Sequence, residues 1–176
     1  VMSGDYGLAY AGYEAVLAAL IGSLKDLMPQ AEITVITGNS QLTRENHHVR
    51  TGHRLYLPRI AAALSRSDLL ISGGGSLLQD VTSTRSLYYY LLIMRMALFF
   101  HVPVMLYAPG IGPVRQPKAR AAVRKVLQRV QMISVRDKDS KGELERMGVT
   151  KPPLHVTADA VLSIHPAATK VGSYLL

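Results

Sequence analysis

The chain contains no cysteine. Disulfides and cysteine-ligated metal sites are thereby excluded, and a reducing compartment fits the composition. Acidic residues are scarce: 12 Asp and Glu stand against 20 Lys and Arg, for a formal net charge of +8 and a pI near 9.9. That balance favours anionic partners. The excess is not concentrated, however. Basic residues are spread along the chain, and only "RQPKARAAVRKVLQR" at 115–129 forms a cluster. It reads as a solvated helix face or as a binding patch, with the spacing favouring the former, and no nucleic-acid partner is expected. Long apolar runs are also missing. The most apolar stretch, "SLYYYLLIMRMALFFH" at 86–101, is shorter than the ~20 residues of a bilayer span and is interrupted by Arg95, so a buried helix is expected. No signal-peptide pattern, internal repeat or low-complexity segment is read in these residues. The chain opens on Val1, and its N-terminus is expected to continue upstream.

What is present is a regular alternation. Of 176 residues, 48% are hydrophobic and 18% charged, enough for a sizeable core in one domain or one lobe. "VMS" is the stub of a first strand. "AGYEAVLAALIGSLKDLM" has apolar residues at helical spacing and stops before Pro29, and "EITVIT" is a β-branched strand ending at Gly38-Asn39. Residues 39–53 are polar and are expected to be a loop. "PRIAAALSRS" predicts a short helix with Pro58 in its first turn, "DLLIS" a strand, and 84–101 a long helix. "PVMLYA" is a strand before the stiff turn "PGIGP". "KARAAVRKVLQRV" is an amphipathic helix, "MISVR" a strand, "DKDSKGELERMG" a helix closing on Gly148, and "LHVTADAV" a last strand running into a loop. Short apolar strands alternating with helices predict an α/β, Rossmann-like, mostly parallel sheet with helices on both faces. The expected domain is 1–165, with 166–176 as a linker to a further domain.

In an open parallel sheet, ligands bind outside the carboxyl ends of the strands. The exits are "SGDYGLAYAG", "SGGGSLLQD", "APGIGP", "VRDKDS" and "TADA". Gly73, Gly74 and Gly75 tolerate positive φ and allow close approach to their backbone, so their N–H groups, with the Ser76 hydroxyl, suit an anion; the alternative is a tight turn where helix and sheet pack closely. The run matches neither GxGxxG nor GxxxxGK[ST], so it names no nucleotide. Arg136 suits a carboxylate or phosphate, or else pairs with Asp137 or Asp139. Arg85, at the start of the long helix, is expected to face the same cleft. Asp80 and Asp159 read as turn caps before catalysts. His47, His48 and His53 share one polar stretch without a zinc-site pattern, so no metal is expected. Tyr88, Tyr89 and Tyr90 wrap around a helix, leaving at most one or two to face a ligand, and core or interface packing is the favoured reading.

"DLLISGGGSLLQDVTSTRSLYYYLLIMRMALFFHVPVMLYAPGIGPV", followed by "ISVRDKDSKGELERMGV" and "VTADAV", resembles the polysaccharide pyruvyl transferase family, and its cell-wall (CsaB-type) branch most closely. The likeness runs from about Val1 to Val161, with several motifs in matching order and spacing. It implies the N-terminal half of a two-domain, GT-B-like transferase whose C-terminal lobe supplies basic and histidine residues. It further implies transfer of the enolpyruvyl group of phosphoenolpyruvate, the donor substrate, to a saccharide as a pyruvate ketal, with no cofactor. In the cell-wall branch the acceptor is a lipid-linked, N-acetylmannosamine-containing saccharide, and the pyruvylated polymer anchors S-layer proteins. A cytoplasmic location, in peripheral contact with the inner face of the membrane, would follow.

By the same resemblance, Arg136 stands at the family's donor-contacting arginine. Gly73, Gly74, Gly75, Ser76, Gln79 and Asp80 stand in its glycine motif, with Arg85 beyond it. Family members tend to read "GYYGFGNAGDEAIL" where this chain reads "GDYGLAYAGYEAVL". Gly12 and Glu14 are kept, and Glu14 is the acidic catalytic candidate. Tyr10 replaces Asn, Tyr13 replaces Asp in the expected substrate-binding region, and Ala160 replaces a common proline. Two alternatives stand beside this function: a GT-B-like glycosyltransferase lobe using a nucleotide sugar, and a non-catalytic saccharide- or anion-binding paralogue, which Tyr13 favours. The isolated lobe is expected to be inactive.

Overall fold

A computed structural model describes residues 1–7, 11–81 and 83–163. Among them, seven strands form one sheet: β1 Met2–Ser3, β2 Thr34–Thr37, β3 Arg50–His53, β4 Leu70–Gly73, β5 Val104–Tyr107, β6 Met132–Val135 and β7 Leu154–Val156. The spatial order is β3-β2-β1-β4-β5-β6-β7, and every pairing is parallel. The connecting helices are α1 Ala11–Leu27, α2 Ser40–His47, α3 Leu57–Leu64, α4 Thr84–Phe99, α5 Pro117–Leu127 and α6 Lys138–Arg146; a 3-10 turn, Ala160–Ser163, follows β7. The fold is the expected Rossmann-like α/β arrangement, with a sheet that is parallel throughout.

Both faces of the sheet are covered, which is why its inner strands read as continuous apolar runs rather than alternating ones. Neighbours on one strand enter different cores. Val35 and Ile71 pack with Met2, Leu17 and Leu20 on the α1 side. Ile36 and Leu70 join Ile60, Leu87, Met94 and Val123, drawn from α3, α4 and α5, on the other. Helix α4 is the buried helix expected at 84–101. Leu87, Tyr90, Leu91, Ile93, Met94 and Ala97 are its buried stripe, and Ser83 caps it by accepting the Ser86 N–H at 3.2 Å. Among the described residues no helix is long and apolar enough to cross a membrane.

Helices α5 and α6 are tied by a buried carboxylate. Glu143 accepts from Arg120 at 2.7 Å and from Arg146 at 2.9 Å. Burial disfavours its charge, but the hydrogen bonds from Arg146 and Arg120 outweigh this and hold its pKa below the usual value. Within the 115–129 cluster, α5 buries Ala119, Val123, Val126 and Leu127 and turns most of its basic side chains to solvent. Gly148 follows α6 with φ +77, as expected of a residue closing that helix.

The stretch 39–53, expected to be a loop, contains α2 and β3. The cause is position. Both elements lie at the sheet's edge, so neither needs an apolar stripe. Helix α2 buries only Thr43, whose hydroxyl meets that of Thr37 at 2.8 Å. Its ends are set by polar chemistry: Asn39 Oδ1 accepts the Leu42 N–H at 3.0 Å, and His48 takes φ 52 at the C-cap. Strand β3 is an edge strand of sequence RTGH, exposed or half-buried along its length. The proposed linker 166–176 lies outside the described residues.

Candidate functional site

Because the strands are parallel, their carboxyl ends open on one rim. Chain order reverses between β1 and β4: connections from β1 run towards β3, and those from β4 run towards β7. The loops leaving these neighbours diverge, and such a switch point is where open parallel sheets bind ligands. The glycine turn leaves β4 at this crevice, and Asp5, Tyr6 and Gly7 leave β1 beside it.

Gly74 and Gly75 adopt φ +82 and +68. A Cβ on Gly75 would lie 2.9 Å from Cε1 of Tyr13 and 3.5 Å from Oδ2 of Asp5. Backbone conformation and packing therefore both demand glycine. The N–H groups of Gly75 and Ser76 have no acceptor among the described residues. The two readings of the turn thus coexist: it is tightly packed, and it leaves consecutive donors uncommitted. The buried Tyr6 hydroxyl anchors the turn by donating to Gly73 O at 2.7 Å. Burial, then the charges of Asp5 and Glu14, push the Tyr6 pKa upward, so it remains a donor.

Arg136 sits on the same rim. Gly110 N–H donates to Gly75 O at 2.9 Å, and a Cβ on Gly110 would fall 2.6 Å from Nη2 of Arg136. Gly110 thus stands between the arginine and the glycine turn, in contact with both. Its loop is pinned by Ala108 N–H to Ser134 Oγ and Ile111 N–H to Ser140 Oγ, each 2.9 Å. Asp137 caps α6 through the Ser140 N–H at 2.6 Å, and this bond holds its pKa below the usual carboxylate range. Arg136 pairs with Asp137 at 3.5 Å and with Asp159 at 3.4 Å. These are long, half-exposed contacts of the weak kind, and the guanidinium has five N–H donors to distribute.

One residue at the crevice, Asp5, was not among the sequence candidates. Asp5 Oδ1 accepts the Tyr90 hydroxyl, while Oδ2 faces Gly75 and has no hydrogen bond among the described residues. Burial, then the charge and hydrogen bond of Asp5, push the Tyr90 pKa upward and keep it a donor. The available signal was the "SGD" at the first strand exit. Of the other tyrosines, Tyr89 donates to Arg54 O at 2.8 Å and Tyr88 is exposed.

Glu14 is engaged at both oxygens: Oε1 accepts the Gly7 N–H at 2.9 Å, and Oε2 meets His47 Nε2 at 3.0 Å. Gly12 is exposed in the first turn of α1, with open space where a Cβ would project. Ser76 is half-buried at the turn. Gln79 packs its Cβ against Gly112. Asp80 accepts the Arg115 and Gln116 N–H groups at 2.9 and 2.8 Å, which hold its pKa below the usual range. It caps the turn before α5. Arg85 is exposed in the first turn of α4, beside this corner, where Thr84 accepts from Gln116 at 3.1 Å. The three histidines diverge: His47 joins Glu14, His48 is exposed at the end of α2, and His53 ends β3. Among the described residues no three metal-ligating side chains converge.

A sequence model of the polysaccharide pyruvyl transferase family matches residues 11–174. No curated protein matches the chain.

Proposed function

Since the chain belongs to the polysaccharide pyruvyl transferase family, we propose that it forms the N-terminal lobe of an enzyme transferring the enolpyruvyl group of phosphoenolpyruvate to a cell-wall saccharide. The observation that supports this reading is the rim itself: N–H donors at Gly75 and Ser76 that are uncommitted among the described residues, and the guanidinium of Arg136, with Gly110 in contact with both. Phosphoenolpyruvate carries a carboxylate and a phosphate, and oriented donors of both kinds suit it.

In this scheme the donor's methylene takes a proton and becomes a methyl group, leaving cationic character on the enol carbon. A saccharide hydroxyl adds there and gives its proton to a base. The carbon–oxygen bond to phosphate then breaks. A second hydroxyl closes the ketal and releases another proton, so that one proton regenerates the acid and one leaves with phosphate.

Asp5 is the better-placed base, because its Oδ2 is uncommitted among the described residues whereas Glu14 has both oxygens engaged. Glu14 and His47 then hold the β1 exit in place. In the family string the position of Asp5 holds tyrosine and that of Tyr13 holds aspartate. Here the two residue types are exchanged, and both lie against Gly75. The carboxylate that Tyr13 removes is thus returned from the neighbouring loop, which favours a catalytic lobe over a degenerate paralogue. A cytoplasmic location at the inner membrane face belongs to the same reading, with a lipid-linked acceptor.

The test is mass analysis of saccharides incubated with phosphoenolpyruvate and the complete two-lobed protein. A pyruvate ketal with release of phosphate is expected, and none from the 176-residue chain alone. Glycosyl transfer from a nucleotide sugar, with phosphoenolpyruvate untouched, would overturn the reading. Turnover by the isolated chain would overturn its two-lobed part.

A further inference from the structure

Where β2 and β3 end, the rim holds a second hollow of about 430 Å³, away from the glycine turn. Its polar side chains can all donate. Arg44 comes from α2, and Arg59 from the first turn of α3, where it lies over the Tyr56 ring at 5.1 Å. His53 Nδ1 accepts the Leu55 N–H at 3.3 Å, so the neutral ring carries its proton on Nε2. Ser40 Oγ is shielded from solvent and has no partner among the described residues.

Among the described residues no carboxylate lines the hollow. Arg44 Nη2 donates to Thr51 Oγ1 at 3.3 Å, and that hydroxyl donates to Ser40 O at 3.2 Å, which orients the guanidinium without neutralising it. Helices α2 and α3 both begin here, and neither has an acidic residue in its first turn, so both positive dipole ends are uncompensated. A surplus of donors, positive charge with no counter-charge among the described residues and a concave shape together specify an acceptor-rich anion. Beside the hollow, Leu55 is 76% exposed, between Arg54 and Tyr56.

We propose that this hollow binds a phosphoryl group, carried by a soluble phosphate ester or by a membrane amphiphile whose chain would lie against Leu55. The volume admits a diphosphate or a sugar phosphate. The inference stands on this hollow alone and does not depend on the reaction at the glycine turn.

The experiment follows the His53 ring resonances of the 176-residue chain while inorganic pyrophosphate is added. A saturable shift is expected, weakened at least tenfold in the Arg44→Ala/Arg59→Ala variant and retained in Arg136→Ala, which lies beside the glycine turn and away from the hollow. If the double variant loses its fold, Arg59→Gln at the exposed start of α3 takes its place. An unmoved His53, or equal binding with and without the two arginines, overturns the proposal. Vesicles containing phosphatidic acid separate the sources. Capture lost in Leu55→Asp, with pyrophosphate binding kept, assigns the amphiphile; pyrophosphate binding without capture assigns the soluble ester.

Discussion

The centre of the rim and its β3 edge are both rich in donors, but they differ in what answers them. At the centre, Arg136 lies between Asp137 and Asp159, and Asp5 faces the glycine turn, so charges of both signs meet in one crevice. At the edge, Arg44, His53 and Arg59 meet no carboxylate, among the described residues, in the hollow they line. The centre is also over-determined: Gly75 is fixed by its φ, by Tyr13 and by Gly110, whereas the edge side chains stand on elements with few buried residues. A mixed-charge, rigid crevice suits the movement of protons and bonds. A one-signed hollow suits holding a ligand.

The sharpest way to break this contrast is Gly75→Ala. The left-handed backbone and the 2.9 Å approach to Tyr13 should cost about 1–3 kcal/mol of strain. Phosphoenolpyruvate-dependent turnover of the complete protein should fall by more than ~100-fold if the oriented donors supply the electrostatic stabilisation. Pyrophosphate binding at the edge should persist. Turnover within a few-fold of the parent would show that the centre is not held as described.

A smaller loss is expected from Asp5→Asn, which keeps the shape and the contact with Tyr90. Removing a general base should lower kcat about 10²-fold with little change in the Michaelis constant for the donor. The exchange Asp5→Tyr with Tyr13→Asp should recover part of the loss, because it returns the carboxylate to its other position against Gly75. A kcat unchanged in Asp5→Asn would remove Asp5 from the chemistry.

The least effect on activity is expected at Glu143, which belongs to neither region. Its folded pKa lies below the usual 4.5, so its contribution to stability is complete above that pH and is lost as the pH falls through the lower, folded value. Melting temperature measured against pH should therefore drop on the acid side. Glu143→Gln should start a few degrees lower at neutral pH and show a flatter acid limb. Parallel curves for parent and variant would rule out this linkage.

Legibility in the sequence followed burial. The inner strands and helices α1, α4 and α5 announced themselves because each carries an apolar run or stripe. The α2–β3 edge did not, since its order rests on Asn39, Thr37 and Thr43 rather than on periodicity. The glycine turn and Arg136 were visible as strand exits. Asp5 was not singled out because β1 is two residues long and has no pattern of its own. Nor could local spacing show that Tyr90 reaches Asp5 across 85 positions, or that His47 reaches Glu14 across 33.

The short first strand has a kinetic consequence. Met2 pairs with Ile71 and Ser3 with Ser72, so the crevice between β1 and β4 requires a chain segment of nearly seventy residues to close on itself. Closure entropy rises only slowly with length, but contacts so distant in sequence make for slow folding. This crevice should consequently be among the last parts to assemble, after β4, β5 and α4 have joined locally. On the ribosome it cannot exist until the glycine turn has emerged. An anion bound there would favour the finished fold over its partly assembled precursors, acting as a latch on the final step of folding.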